Sequence, residues 1–261
     1  MYQSAKIKET TGFIADYAAV LLGAGVHCTR VLRNSRRICE AYGLELTMTI
    51  FASNIILTLS DPEQDEICTE VVHIRQLPVS FELNAELSAL SWRVFDNRLS
   101  IDEVKREYGQ IMQKPRMNHW LVTLLVSVAN ACFCRLFGGD WGAMGLVFIS
   151  TFSGFRLLRF VKKRGIDHSL AVILVSFFSS FACIGLASLP PLAGCVNVTV
   201  AVATSVLFMV PGVPLITGVI DIFENHVLIG FARLMRAILI MLCLAVGLSI
   251  SMVIFSGSLQ L

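Results

Sequence analysis

The fold class this sequence predicts is a membrane protein. A small cytoplasmic α+β domain over residues 1–117 is expected to precede an all-α bundle of about five transmembrane helices over residues 118–261. Three observations carry the prediction. The chain is 55% hydrophobic and 15% charged, with mean hydropathy +0.71, too apolar for one soluble globule, where about 25% of residues are charged. Most acids and bases fall before residue 118, and the remainder is close to a succession of apolar runs. One of those runs is broken by Pro211-Gly212-Val213-Pro214 and followed by Asp221. Each proline lacks an N–H and crowds the carbonyl one turn back. In a bilayer the freed groups need partners inside the protein or a water-lined cavity. Broken helices beside an ionisable residue are a common build of transporter substrate sites; a packing kink or a span end near the interface is the plainer reading.

Residues 12–43 read as a helix interrupted around Gly23-Ala24-Gly25, with Ile14, Ala18, Leu21 and Leu22 at helical spacing and Gly43 as its stop. Arg30, Arg33, Arg36 and Arg37 crowd its later part. They suit anionic lipid headgroups or phosphate, or simply a solvated face that complements the helix dipole. No secretory signal is expected, because the apolar stretch Phe13–Val26 is interrupted by Asp16 and lacks a small-residue cleavage pattern. Thr47–Leu59 and Thr69–Leu77 predict two strands of a hairpin around Ser60-Asp61-Pro62-Glu63. Val79–Asn97 predicts a helix with Phe81, Leu83, Leu87, Leu90 and Val94 on or near its apolar side. Ser100-Ile101-Asp102-Glu103 is a capping-box start for another helix through Met112.

Pro115 ends that helix, and His119-Trp120 opens the membrane half with an interfacial aromatic. Spans are expected over about Trp120–Phe137, Trp141–Phe160, His168–Leu189, Leu192–Ile222 and Val227–Phe255. Pro190-Pro191 separates the third from the fourth, and the fourth holds the proline motif, either as one helix or as two half-helices. Lys105, Arg106, Lys114 and Arg116 precede the first span; Arg159, Lys162, Lys163 and Arg164 follow the second; Arg233 and Arg236 lie near the last connection. The positive-inside rule then sets the N-terminal domain in the cytoplasm and Leu261 outside.

Composition also excludes. The net charge of +2, with no basic stripe interleaved with aromatics, argues against nucleic acid as a partner. The eight cysteines form no C-x-x-C pair and the five histidines are dispersed, so both read as structural and no metal or other cofactor is expected. No nucleophile elbow, phosphate loop or paired nucleophile and base occurs; an enzyme is not expected, and no residue is singled out as catalytic. Any transport would be secondary rather than driven by ATP.

Charged groups in or near the spans are the candidates for function, since desolvating a charge in lipid is costly. Arg135, Arg156, Arg159 and Arg236 stand near span ends, where arginines ordinarily snorkel. Asn130 and Asn197 read as hydrogen-bonding partners between helices. Asp221, followed by Glu224, Asn225 and His226, is harder to dismiss: it is placed to pair with Arg233 or to bind a proton.

One ordered set of residues resembles a known family. Gly23-Ala24-Gly25 with Arg30 and Gly43, Leu136-Phe137-Gly138-Gly139-Asp140-Trp141, and Pro211-Gly212-Val213-Pro214 with Asp221 and Gly230-Phe231-Ala232-Arg233 together look like the threonine/serine exporter family, over nearly the whole chain. The chain is similar to its short members, which hold the N-terminal domain and five spans, whereas longer members fuse these to a second membrane region. The resemblance implies a separately encoded small membrane subunit as partner, and hence a hetero-oligomer. It also implies export of threonine and serine for the fused type, or of dicarboxylates such as succinate for the two-subunit type. An Asn often follows the family's proline motif; Thr217 stands there in this chain, a departure that bears on amino-acid specificity. The sequence itself does not choose the substrate: dicarboxylates are the expectation and threonine or serine the alternative. The expected substrate-binding set is Arg156, Pro211, Gly212, Pro214, Thr217, Asp221 and Arg233. Within it, Asp221 is expected to couple or gate transport, and Arg156 or Arg233 to attract a carboxylate. The rival reading from another class is a membrane-anchored sensor or assembly factor, for which one or two spans would suffice.

Overall fold

The structure is a computed structural model that describes residues 2–115, 117–189 and 197–258. Arg116, the Pro190-Pro191 break, the expected start of the fourth span at Leu192, Cys195 and the Leu261 terminus lie outside the described residues. By its internal contacts the chain divides into two units, Met1–Pro115 with Gly212–Met235, and Arg116–Pro211 with Arg236–Leu261.

The first unit opens with two helices, α1 (Tyr2–Gly23) and α2 (Cys28–Ala41). The expected interruption is there, and its chemistry is a Schellman turn. Gly25 takes φ +89°, its N–H donates to Leu22 O at 3.1 Å, and the Val26 N–H reaches Leu21 O at 3.1 Å. A side chain at Gly25 would be strained by that φ alone. α1 starts well before residue 12, because the polar run through Lys6, Lys8 and Glu9 continues the helix ahead of the apolar periodicity.

A three-stranded antiparallel sheet follows, β1 (Glu45–Ile50), β2 (Asn54–Asp61) and β3 (Glu66–His73), in the order β1-β2-β3. This corrects the two-strand expectation. Thr47–Leu59 is itself a hairpin, folding back where Ile50 pairs with Ile55 and the Phe51 N–H donates to Asn54 O at 2.8 Å. Phe51-Ala52-Ser53 contains neither glycine nor proline, so the residues that usually announce a turn are missing. Alternation places Ile55, Leu57 and Leu59 on the buried face, against Ile14, Tyr17, Ala18 and Leu21 of α1. α3 (Phe81–Asn97) and α4 (Ile101–Gln113) complete this core with Leu87, Leu90, Val94 and Val104. The α4 capping box forms as expected, Ser100 Oγ accepting from Glu103 N and Glu103 Oε2 accepting from Ser100 N at 2.9 Å. To these the first unit adds α9 (Gly212–Phe223) and the start of α10 (Val227–Ser258), with Ile229 in the same core.

The second unit holds α5 (His119–Leu136), α6 (Trp141–Lys163), α7 (His168–Ala187), α8 (Val198–Ser205), a 3-10 turn Leu207–Met209 and the rest of α10. Its interior is built from small and polar side chains, as helix packing in lipid favours. Asn130 donates to Thr151 Oγ1 at 2.6 Å and to Thr204 O at 2.9 Å, and Ser180 bonds Ser251 at 2.6 Å. Cys134, Val147, Cys183 and Ala201 form one apolar cluster there, while Leu121, Leu125 and Val128 face outward. Among the described residues, α5, α6, α7 and α10 are long and apolar enough to cross a membrane; counting α8 and α9 as one broken span gives a fifth.

Candidate functional site around Asp221 and Arg233

The break in the fourth apolar run falls at Val210-Pro211. Val210 is extended, φ −61° and ψ 127°, as a residue before proline must be to avoid the ring. Pro214 does not break anything. It lies in the first turn of α9, where its missing N–H has no intrahelical partner to lose. Thr217 turns its hydroxyl back onto Val213 O at 2.9 Å.

α9 ends on a second Schellman turn, this one without glycine. Asn225 takes φ +66°, its N–H donates to Ile222 O at 3.1 Å, and His226 N donates to Asp221 O at 2.7 Å. α10 then returns close to α9: a Cβ on Gly230 would lie 2.7 Å from Gly218 O. This contact accounts for glycine at the head of Gly230-Phe231-Ala232-Arg233.

Between these elements and the α1–α2 break sits a buried ion pair. Asp221 is fully buried and Arg233 is 14% exposed, with Arg233 Nη1 donating to Asp221 Oδ2 at 2.7 Å. The second guanidinium arm, Nη2, donates to Val26 O at 2.9 Å. Asp221 Oδ1 accepts from the Cys28 N–H at 2.7 Å, the first residue of α2. α2 has no cap of its own, because His27 at the N-cap place makes no side-chain cap bond. Asp221 therefore caps α2 from another helix, with the carboxylate at the positive end of the helix dipole. Next to it, His27 Nδ1 meets Glu224 Oε2 at 3.1 Å. Burial pushes the Cys28 thiol well above its ordinary range, and the Asp221 charge adds to it. For Glu224, burial raises the pKa, but hydrogen bonds with Thr29 and His27 outweigh it and leave the carboxyl below its ordinary value.

The structure thus brings Asp221 and Arg233 together, in the unit that also holds Gly212, Pro214 and Thr217. Arg156 belongs to the other unit, where its guanidinium lies 3.7 Å over the Trp120 ring. Val26, His27 and Cys28 were not anticipated. The signal available for them was the gap after Gly25 followed by a helix start with no Ser, Thr, Asp or Asn before it, which leaves N–H groups in need of an acceptor. His27, Asp221 and Glu224 bring possible ligand atoms within 4.8 Å of one another. Both Asp221 oxygens are already engaged, one by the Cys28 N–H and the other by Arg233.

Apolar helices long enough to span a bilayer, one apolar run among them broken at a proline, define an integral membrane protein. Residues 12–255 match the family described as "Putative threonine/serine exporter", and the chain belongs to that family. It is 28% identical to the "Probable succinate transporter subunit YjjP" of Escherichia coli (strain K12), with 97% of each chain covered. The protein of the same description from Klebsiella aerogenes is 26% identical, with 94% of this chain and 93% of that one covered. A "Probable threonine/serine exporter" of Mycobacterium tuberculosis is 22% identical over 90% of this chain but only 44% of its own length. No solved structure matches the chain.

Proposed function

We propose that this chain is one subunit of a secondary exporter of small carboxylates, succinate-like dicarboxylates first among them. It acts in the bacterial inner membrane together with a second small membrane subunit, with its N-terminal domain cytoplasmic and its C-terminus periplasmic. The observation that carries the reading is the buried Asp221–Arg233 pair at the α9–α10 turn, in a chain of an exporter family. Arg233 supplies a desolvated positive charge with a forked donor set, the side chain best matched to a carboxylate. Asp221 neutralises it when no substrate is present, so the pair acts as the gate. Support for a separate partner comes from length. This chain covers nearly all of the relatives called subunits and less than half of the longer exporter. An odd-numbered set of spans beside a related set of opposite orientation would complete an inverted repeat.

The experiment is mass spectrometry of culture medium from cells lacking or overproducing the chain, with and without the second subunit. External succinate rising only when both are present is the expected result. External threonine or serine rising instead would reassign the substrate to the amino acids of the family's description. No change in any small metabolite would overturn the exporter reading, and full export by this chain alone would overturn the two-subunit one.

A further inference from the structure

Asp221 is held as a bound carboxylate ligand would be. One oxygen takes the first N–H of α2 at 2.7 Å, and the other takes the Arg233 guanidinium at 2.7 Å. The guanidinium is itself fixed through Val26 O at 2.9 Å. A helix N-terminus and a guanidinium arm converging on one anion are two donor types that proteins use for free carboxylates. The local sequence of α2 leaves this place for an incoming acceptor, since His27 provides no cap. The titratable and charged groups around Asp221 are the Cys28 thiol and His27 at the start of α2, Glu224 and His226 in the α9–α10 turn, and Arg233 on α10. Glu224 repeats the arrangement on a smaller scale, a carboxylate resting on His27.

We propose that Asp221 is a built-in stand-in for a carboxylate of the transported molecule, and that its cradle of Cys28 N–H and Arg233 is the substrate's carboxylate site. That the ligand is cargo rests on the exporter reading; that the cradle takes a carboxylate rests on the geometry alone. Asp221 and a substrate carboxylate compete for the same donors, so the substrate enters only as Asp221 leaves, and neutralising Asp221 favours the bound state. The neighbouring pair reads the far end of the molecule. A dicarboxylate sets its second carboxylate on His27 in place of Glu224, whereas an amino acid sets its ammonium on Glu224.

The test is equilibrium binding of succinate, and separately of threonine, to the purified full-length chain by isothermal titration calorimetry. Wild type is compared with Asp221→Asn, Asp221→Ala and the double variant Asp221→Asn/Arg233→Gln. If Asp221 is withdrawn in about 1–10% of wild-type molecules, removing it as competitor tightens binding about 10- to 100-fold. That gain for succinate in both single variants, lost in the double variant, is the expected result. A gain for threonine alone upholds the carboxylate site and assigns it to amino acids. Unchanged or weaker binding of both ligands, or a gain that survives Arg233→Gln, overturns the proposal. A second measurement leaves Asp221 intact: saturating succinate must change amide hydrogen exchange of the wild-type segment Val26–Thr29, and an unaffected segment overturns the proposal equally. Binding without export would sink the exporter reading and leave the site; export with unchanged binding would do the reverse.

Discussion

Asp221 stabilises the structure only because it is fully paired. A buried carboxylate loses its hydration, and one arm of the Arg233 guanidinium together with the Cys28 N–H replaces it. Removing the arginine alone strands the charge. Arg233→Gln is therefore expected to lower stability by about 3–5 kcal/mol, read as a large drop in Tm of the detergent-solubilised protein. Joint replacement of both partners by apolar residues should cost much less. Glu224 gives a pH signature of known sign. Its folded pKa lies below the ordinary 4.5, so its contact with His27 and Thr29 contributes stability that is present above about that pH and is lost as pH falls through the lowered value. A Tm profile measured downward from neutral pH should show this loss in the wild type and lack it in Glu224→Gln. The sequence alone already marked Asp221 and its possible pairing with Arg233. It did not mark Val26 and Cys28, because their roles are played by backbone groups, which leave no side-chain signature, nor His27, whose ring meets a carboxylate distant in sequence.

Among the helices, the breaks matter as much as the spans. Two Schellman turns place the site, one at Gly25 and one at Asn225, and the second is unusual in using a residue with a Cβ. Asn tolerates the left-handed region where a β-branched residue does not. Asn225→Val should cost about 1–2 kcal/mol and Asn225→Gly almost nothing, as thermal unfolding of the two variants would show. Gly230 faces a backbone carbonyl that cannot turn aside. Gly230→Ala should push α10 away from α9, weaken the Asp221–Arg233 contact and lower stability by about 1–3 kcal/mol. By contrast Pro214→Ala removes no hydrogen bond and should be close to neutral. The capping box at Ser100 and the break after Gly23 were legible because both are written in local turn chemistry. The hairpin turn at Phe51-Ala52-Ser53 was not, since it carries no such residue and is held by pairing across the strands. The proline motif was legible as a break but not in its detail: one proline precedes a helix and the other opens it.

On the scale of the whole chain, the sequence shows a polar first half and an apolar second half, with the composition shifting at about residue 117. Contacts divide the chain differently, because Gly212–Met235 joins the first unit through Asp221, Arg233 and Ile229. Composition cannot report such a return, which depends on one carboxylate and one guanidinium meeting backbone groups about two hundred residues away in sequence. The consequence for function is that the N-terminal α1–α2 break and the α9–α10 turn share one set of bonds. On the proposed reading, withdrawal of Asp221 and docking of a substrate carboxylate both act on the Cys28 N–H, so substrate exchange is coupled to the start of α2. Flux of labelled succinate in proteoliposomes holding both subunits tests this account most directly, comparing wild type with Asp221→Asn. Rapid flux in the wild type, with Asp221→Asn inserted and folded yet reduced to a small fraction of that rate, is the predicted result. Equal flux from the two proteins, or none from either, would contradict it.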